Sequence, residues 1–274
     1  MAALKAVRVS DWLWCASLGI AWLPVLSTLW DARRISHPRA LTAYVDLSFV
    51  LQPGPLLALT GMFLACIVCW TLRYKPIASA LFAFLLLALL GNLENSLYEA
   101  DSGVHHGKLL PAGALLAWAI TWQLTRARPV AEREQHAHEA ALGVAAGCYV
   151  LAALAKLQSG GLDWVSSTNI PLLMVERAIG AATWSSELRT FVGEASAGSR
   201  SVVLSVPALA IELFSVGLLW PRTRRAAALL LLALHLAIAL LLGYVYVAWM
   251  LLLLGALVRP SAALPQGQPR APLP

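Results

Sequence analysis

The chain has 274 residues, 59% hydrophobic and only 12% charged, with mean hydropathy +0.72 and net charge +6. A soluble domain carries about a quarter charged residues, so this balance excludes a water-soluble enzyme, a disordered chain and a disulfide-rich secreted domain. The apolar residues come in long runs and not in alternation, which argues against a membrane β-barrel. At about 20 apolar residues per span, the composition allows about eight spans and predicts an all-α, polytopic membrane helical bundle.

Apolar runs between charged breaks predict helices near 11–30, 55–73, 76–97, 108–125, 139–157 and 201–220. The last apolar block, 226–258, would measure about 50 Å as one helix, too long for a roughly 30 Å hydrocarbon core. Gly243 is its expected break, giving seven or eight spans, with eight preferred. Met1 to Arg8 followed by an apolar run mimics a secretory signal. No small-x-small site follows, and Trp14 before Cys15 does not fit a lipoprotein site, so this is read as a retained first span. The expected domain is a single transmembrane unit, 1–258. Its longest loop, 158–200, lies outside and includes an amphipathic surface helix over Ile170–Val192. A tail at 259–274, rich in Pro and Ala, is expected to be disordered and cytoplasmic. No internal repeat is visible.

Charge sets the orientation. The breaks at 73–75 and 221–225 carry basic residues and no acid, which places them and the N-terminus in the cytoplasm of a plasma or inner membrane. The acids collect on the opposite side, among them Asp31, Asp46, Glu94 and Asp163. The positive charge is thus a membrane-topology signal. No basic run interleaved with aromatics points to nucleic acid. Eleven tryptophans are expected largely at helix ends, at the bilayer interface.

Ionisable groups at membrane depth are costly, and each is a functional candidate. Lys156 closes the run GCYVLAALAKL, Glu212 lies mid-way along the 201–220 span after Pro207, and His235 sits within AAALLLLALHLAIALLLG. His105 and His106 precede the fourth span. Structural readings stand beside these: Lys156 as a lysine snorkelling to the interface, Glu212 and His235 as a hydrogen-bonded pair joining two helices, and the histidine pair as exposed loop. His136 and His138, among Glu132, Glu134 and Glu139, read as a solvated cytoplasmic loop. Cys66 and Cys69 form a CxxC within the second span, an arrangement used for quinone-linked redox exchange but also ordinary apolar filling. No set of three or four metal ligands has recognisable spacing, and no nucleotide or hydrolase fingerprint is present.

The stretch Tyr149-Val-Leu-Ala-Ala-Leu-Ala-Lys156-Leu-Gln-Ser-Gly-Gly-Leu-Asp-Trp164 has the order tyrosine, small residues, lysine, short gap, tryptophan. It is followed by Ala210-Ile-Glu212-Leu-Phe, a basic turn, Leu234-His235-Leu-Ala-Ile and Leu242-Gly243-Tyr244. Together these resemble the vitamin-K-dependent gamma-carboxylase superfamily and its bacterial horizontally transferred transmembrane (HTTM) domain proteins. They look most like the small membrane proteins of the sporulation-delaying-protein B type. The resemblance covers about 145–258 well and 1–144 loosely. It implies an outward-facing catalytic site of Lys156, His235, His106 and Glu212, with Trp164, Tyr149 and Tyr244 binding substrate. Lys156 matches the lysine that acts as base toward a reduced quinone cofactor, and His106 and His235 match family histidines. A lysine acts as a base only when neutral, a form that apolar surroundings favour. The sequence departs from the pattern at Ala153, where the family has glycine, in the longer loop after Lys156, and in lacking the large C-terminal region of true carboxylases. The leading expectation is therefore maturation or modification of a secreted precursor peptide. A quinone-dependent glutamate carboxylase and a non-enzymatic lipid- or peptide-binding, immunity-like protein are the alternatives.

Overall fold

A computed structural model of the chain describes residues 8–32, 44–95, 97, 109–161, 163–166, 170–171, 186–195 and 201–258. All regular structure among them is helical: α1 (Val9–Asp31), α2 (Pro53–Thr71), α3 (Pro76–Asn95), α4 (Leu109–Leu124), α5 (Val130–Gly160), α6 (Asp163–Ser166), α7 (Ser186–Ala195), α8 (Val202–Phe214), α9 (Arg224–Leu242) and α10 (Val247–Val258). A 3-10 segment, Ser48–Leu51, precedes α2, and another, Ser215–Leu219, continues α8.

The boundaries follow local chemistry. Pro53 and Pro76 open α2 and α3, where the missing N–H has no helical partner to lose. Gly243 stands in the left-handed region (φ 74°) and its N–H closes on the Ala239 carbonyl at 3.2 Å. The expected break in the 226–258 block falls there because glycine alone takes this cap without a Cβ clash.

Among the described residues, six helical stretches are long and apolar enough to cross a membrane: Val9–Asp31, Pro53–Thr71, Pro76–Glu94, Val130–Gly160, Val202–Leu219 and Arg224–Leu242. α4 and α10 are apolar but shorter, with 16 and 12 residues. Their outward positions stay apolar, with Leu57, Leu64, Leu85, Leu229 and Leu236 exposed. A helix hydrophobic on all sides belongs in lipid or a large core, so a bilayer environment fits this surface.

The helices close into a ring. Each of α1 to α4 packs on the next, α5 packs on α8 and its continuation, these pack on α9, α9 on α10, and α10 returns to α1. The closing seam is polar as well as tight. Trp14 Nε1 donates to the Leu252 carbonyl at 3.1 Å and Ser17 Oγ to the Ala248 carbonyl at 2.6 Å. A Cβ on Gly255 would collide with the Trp14 ring.

The sequence expectation for 130–139 changes here. Helix α5 begins at Val130 and not near 139, so Glu132 to Glu139 are helical and His138 is only 3% exposed. The solvated-loop reading of His138 is thereby overturned. Trp70 and Trp122 lie near the ends of α2 and α4, and Trp14, Trp22, Trp70, Trp118 and Trp122 are buried against other helices. Inside the ring they stack (Trp22 on Phe63 at 4.2 Å, Trp118 on Trp122 at 4.8 Å), which aromatic area favours over a lipid contact. Of the expected helix over 170–192, residues 170–171 and 186–192 are helical, the latter within Ser186–Ala195, and 172–185 lie outside the described residues. The tail 259–274 lies outside the described residues.

Candidate functional site

Helix periodicity places Tyr149 and Lys156, seven residues apart, on one face of α5. Ala153, the position where the resembled pattern has glycine, lies between them and is fully buried. The chain then reverses at Gly161 (φ 56°), whose N–H bonds the Leu157 carbonyl at 2.7 Å. A Cβ on Gly160 would stand 3.0 Å from Trp164 Cβ, so glycine there lets α6 fold closely back over α5. The Trp164 ring consequently lies 5.3 Å from Lys156 Nζ, within the range of a cation–π contact.

The polar partner of Lys156 comes from α8. Its Nζ donates to Glu212 Oε1. The lysine side chain keeps 30% exposure and the glutamate 8%. Such a pair loses hydration on the glutamate side and holds only while both partners stay in place.

A second pair lies on the same helix face. The Tyr149 hydroxyl and His235 Nε2 are 2.5 Å apart, joining α5 to α9. Around the imidazole stand Tyr246 at 5.5 Å and Trp249 at 5.6 Å between centroids, and Trp249 also meets Tyr149 edge-on at 5.4 Å. The Gly243 break makes this enclosure, because it turns the chain so that Tyr246 and Trp249 come back onto His235. Two buried polar atoms, Glu212 Oε2 and His235 Nδ1, have no hydrogen-bond partner among the described residues. Buried polar atoms are nearly always paired, so these two mark where an incoming polar group can bond.

Four of the sequence-predicted residues thus form two pairs built on α5, Lys156 with Glu212 and Tyr149 with His235, with Trp164 beside Lys156, and Glu212 lies within electrostatic reach of Tyr149. The pairing differs from the expected Glu212–His235 contact: the lysine takes the glutamate and the tyrosine takes the histidine. Tyr244 is one step removed, stacked on Tyr246 at 6.4 Å. His106 lies outside the described residues. Tyr246 and Trp249 escaped sequence reasoning, although Gly243-Tyr-Val-Tyr-Val-Ala-Trp249 is an aromatic cluster directly after a helix break. Cys66 and Cys69 are free thiols, both half-buried on α2. An open cleft of about 810 Å³ lies elsewhere, between α1 and α2 beside Leu23, Trp30 and Leu57.

Comparison with protein-family models, curated proteins and solved structures returns no match for this chain. What the fold defines is a helical protein with several helices of membrane-crossing length.

Proposed function

We propose that this chain is an HTTM-type membrane protein of the plasma or inner membrane, with eight spans including the short α4 and α10, and a cytoplasmic N-terminus. In this reading it matures or modifies a secreted precursor peptide at a site facing outward. The observation that carries it is the meeting of Lys156, Glu212 and Trp164 at the C-terminal end of α5. That end lies away from the α2–α3 turn, whose Arg73 meets Glu134 at the start of α5. Lys156 is the base, Glu212 positions it, and Tyr149 with His235 supplies a second proton-exchanging pair. Substrate reaches them past Trp164.

A reduced quinone suits the same pocket. Tyr149, Tyr246 and Trp249 offer ring faces, and Glu212 Oε2 and His235 Nδ1 are the unpartnered atoms able to bond its oxygens. When bound it would supply the reducing electrons. The chain's own residues hold and orient it and exchange protons at Lys156 Nζ.

The test is co-expression with the secreted precursor peptide, reading its mature form by mass spectrometry. Lys156→Ala at normal expression is expected to abolish maturation, and unchanged maturation sinks the catalytic reading. Lys156→Arg separates the alternatives, because arginine keeps the cation but cannot act as a base. Full function in that variant would assign Lys156 to binding alone.

A further inference from the structure

At the opposite end of α5, four charged side chains meet inside the ring. Asp11 of α1 is 5% exposed and His138 of α5 is 3% exposed. Asp11 Oδ1 accepts from Arg73 Nη2 at 3.1 Å and lies 3.2 Å from His138 Nε2. Its Oδ2 accepts the Arg8 backbone N–H at 3.3 Å. Arg73 also donates Nε to Glu134 Oε1 at 3.3 Å and Nη1 to the Trp70 carbonyl at 3.0 Å, and the Arg8 guanidinium stands 3.8 Å from Glu134.

The histidine geometry fixes a proton. His138 Nδ1 is 2.7 Å from the Glu134 backbone carbonyl. A carbonyl only accepts, so Nδ1 must carry hydrogen. The other nitrogen faces a carboxylate oxygen, and a 3.2 Å contact between two lone pairs would be repulsive. A hydrogen therefore lies between Nε2 and Oδ1. Arg73 and the Arg8 amide already donate to this carboxylate, which favours its ionised form, so the hydrogen belongs to the imidazole. The surroundings suit a cation. The Trp14 ring lies 4.8 Å from the His138 ring and the Trp118 ring 6.4 Å, while Arg73 sits over Trp70 and Trp118 at 5.6 and 5.2 Å. Two cations, each between tryptophans, thus face Asp11 and Glu134.

The backbone points the same way. Arg73 and Lys75 both have positive φ (60° and 42°) without being glycine, a conformation that costs energy for side-chain-bearing residues. The α2–α3 turn accepts this strain at the residue whose guanidinium reaches Asp11 and Glu134.

We propose that the Asp11–His138 pair, braced by Arg73 and Glu134, is a buried proton-binding site in which His138 carries both ring protons and ties α1 to α5. Among the described residues the charged groups facing His138 are Asp11 and, through it, Arg8 from the start of α1, Arg73 from the α2–α3 turn and Glu134 from α5 itself, while α4 presents the Trp118 ring. The site stands independently of the outward-facing pocket. It adds a second role to α5, since the helix bearing Tyr149 and Lys156 is fixed at its other end by a titratable contact. The folded protein binds this proton more tightly than the unfolded chain, so the stabilisation is full below the free-histidine value of about 6.5, declines as pH rises above it and is gone once the folded ring deprotonates.

The experiment is ring-nitrogen NMR of full-length, 15N-histidine-labelled protein in phosphatidylcholine nanodiscs at pH 7.5, with His138 assigned through Ala137 and Glu139. An exposed histidine is about one-tenth protonated at that pH. His138 is expected to show both nitrogens protonated in the bulk of the population and to lose one proton at higher pH, with thermal stability falling from about pH 6.5 up to that point. A singly protonated His138 ring at pH 7.5 overturns the proposal. Asp11→Asn is expected to return His138 to a singly protonated ring, and a ring still doubly protonated there removes Asp11 from the site. Should that variant not fold, the wild-type spectrum and its pH titration decide the matter.

Discussion

The two ends of α5 handle buried charge in opposite ways. At its start, Asp11, Arg73 and His138 all have polar partners, tryptophans pack around both cations, and no side chain of the three exceeds 19% exposure. At its end, Lys156 keeps 30% exposure, and Glu212 Oε2 and His235 Nδ1 lack partners among the described residues. The helix has 31 residues, about 46 Å at its usual rise, so the ends are well separated. At the start the carboxylate, guanidinium and imidazole satisfy one another, which stabilises one arrangement, although the ring N–H groups of Trp70 and Trp118 beside them are unpartnered among the described residues. At the end the charged groups themselves keep unpartnered atoms, which costs stability and leaves them able to bond something that arrives. The contrast is between charges that complete one another's bonding at the start of α5 and charges that do not at its end.

The sharpest way to break this contrast is at Asp11. Asp11→Ala leaves the buried His138 without its carboxylate and Arg73 with Glu134 alone, and breaking such a pair costs about 3–5 kcal/mol. Thermal unfolding in nanodiscs should show it as the largest loss among single substitutions in the molecule. Arg73→Gly separates strain from network. Relief of the left-handed backbone alone would stabilise by about 1–2 kcal/mol, whereas loss of the guanidinium from Asp11 and Glu134 outweighs it. The expected result is a net loss, and a rise in melting temperature would mean that the turn, and not the network, limits stability.

At the other end the same kind of cut should matter less. Tyr149→Phe removes one interhelical bond to His235, for which about 0.6–2 kcal/mol is usual between membrane helices. Its effect on peptide maturation should exceed its effect on stability, and equal loss of both would make the pair structural. The smallest effect lies outside the spans, before α2. The Ser48 hydroxyl, followed by its N–H at 2.9 Å, holds the Asp46 carboxyl below the usual aspartate range. A lowered folded value stabilises above the unfolded value and is lost as pH falls through it. Ser48→Ala should therefore raise the acid titration midpoint of Asp46 while leaving the melting temperature at neutral pH unchanged.

Much of the helical layout is legible in the residues. Pro53, Pro76 and Gly243 act through their own backbones, and the apolar runs between them are long enough to identify the main helices without tertiary information. The shared face of Tyr149 and Lys156 is likewise a matter of helical period. The start of α5 was not legible. Val130 to Glu139 carries charged and histidine residues that look like solvated loop, and only the packing of α1 and the α2–α3 turn against them makes a buried helix worthwhile.

What the sequence by itself determined is therefore local: a helical chain with several helices of membrane-crossing length, its break at Gly243, and a short set of ionisable residues worth watching. The tertiary structure decided which of these meet. Lys156 finds Glu212 across 56 positions, Tyr149 finds His235 across 86, and His138 finds Asp11 across 127. Periodicity tells which face of a helix a residue occupies, but not which neighbour that face will meet. That choice depends on how the helices close the ring, and so the low charge content of the chain resolves into two distinct polar sites only once the ring is formed.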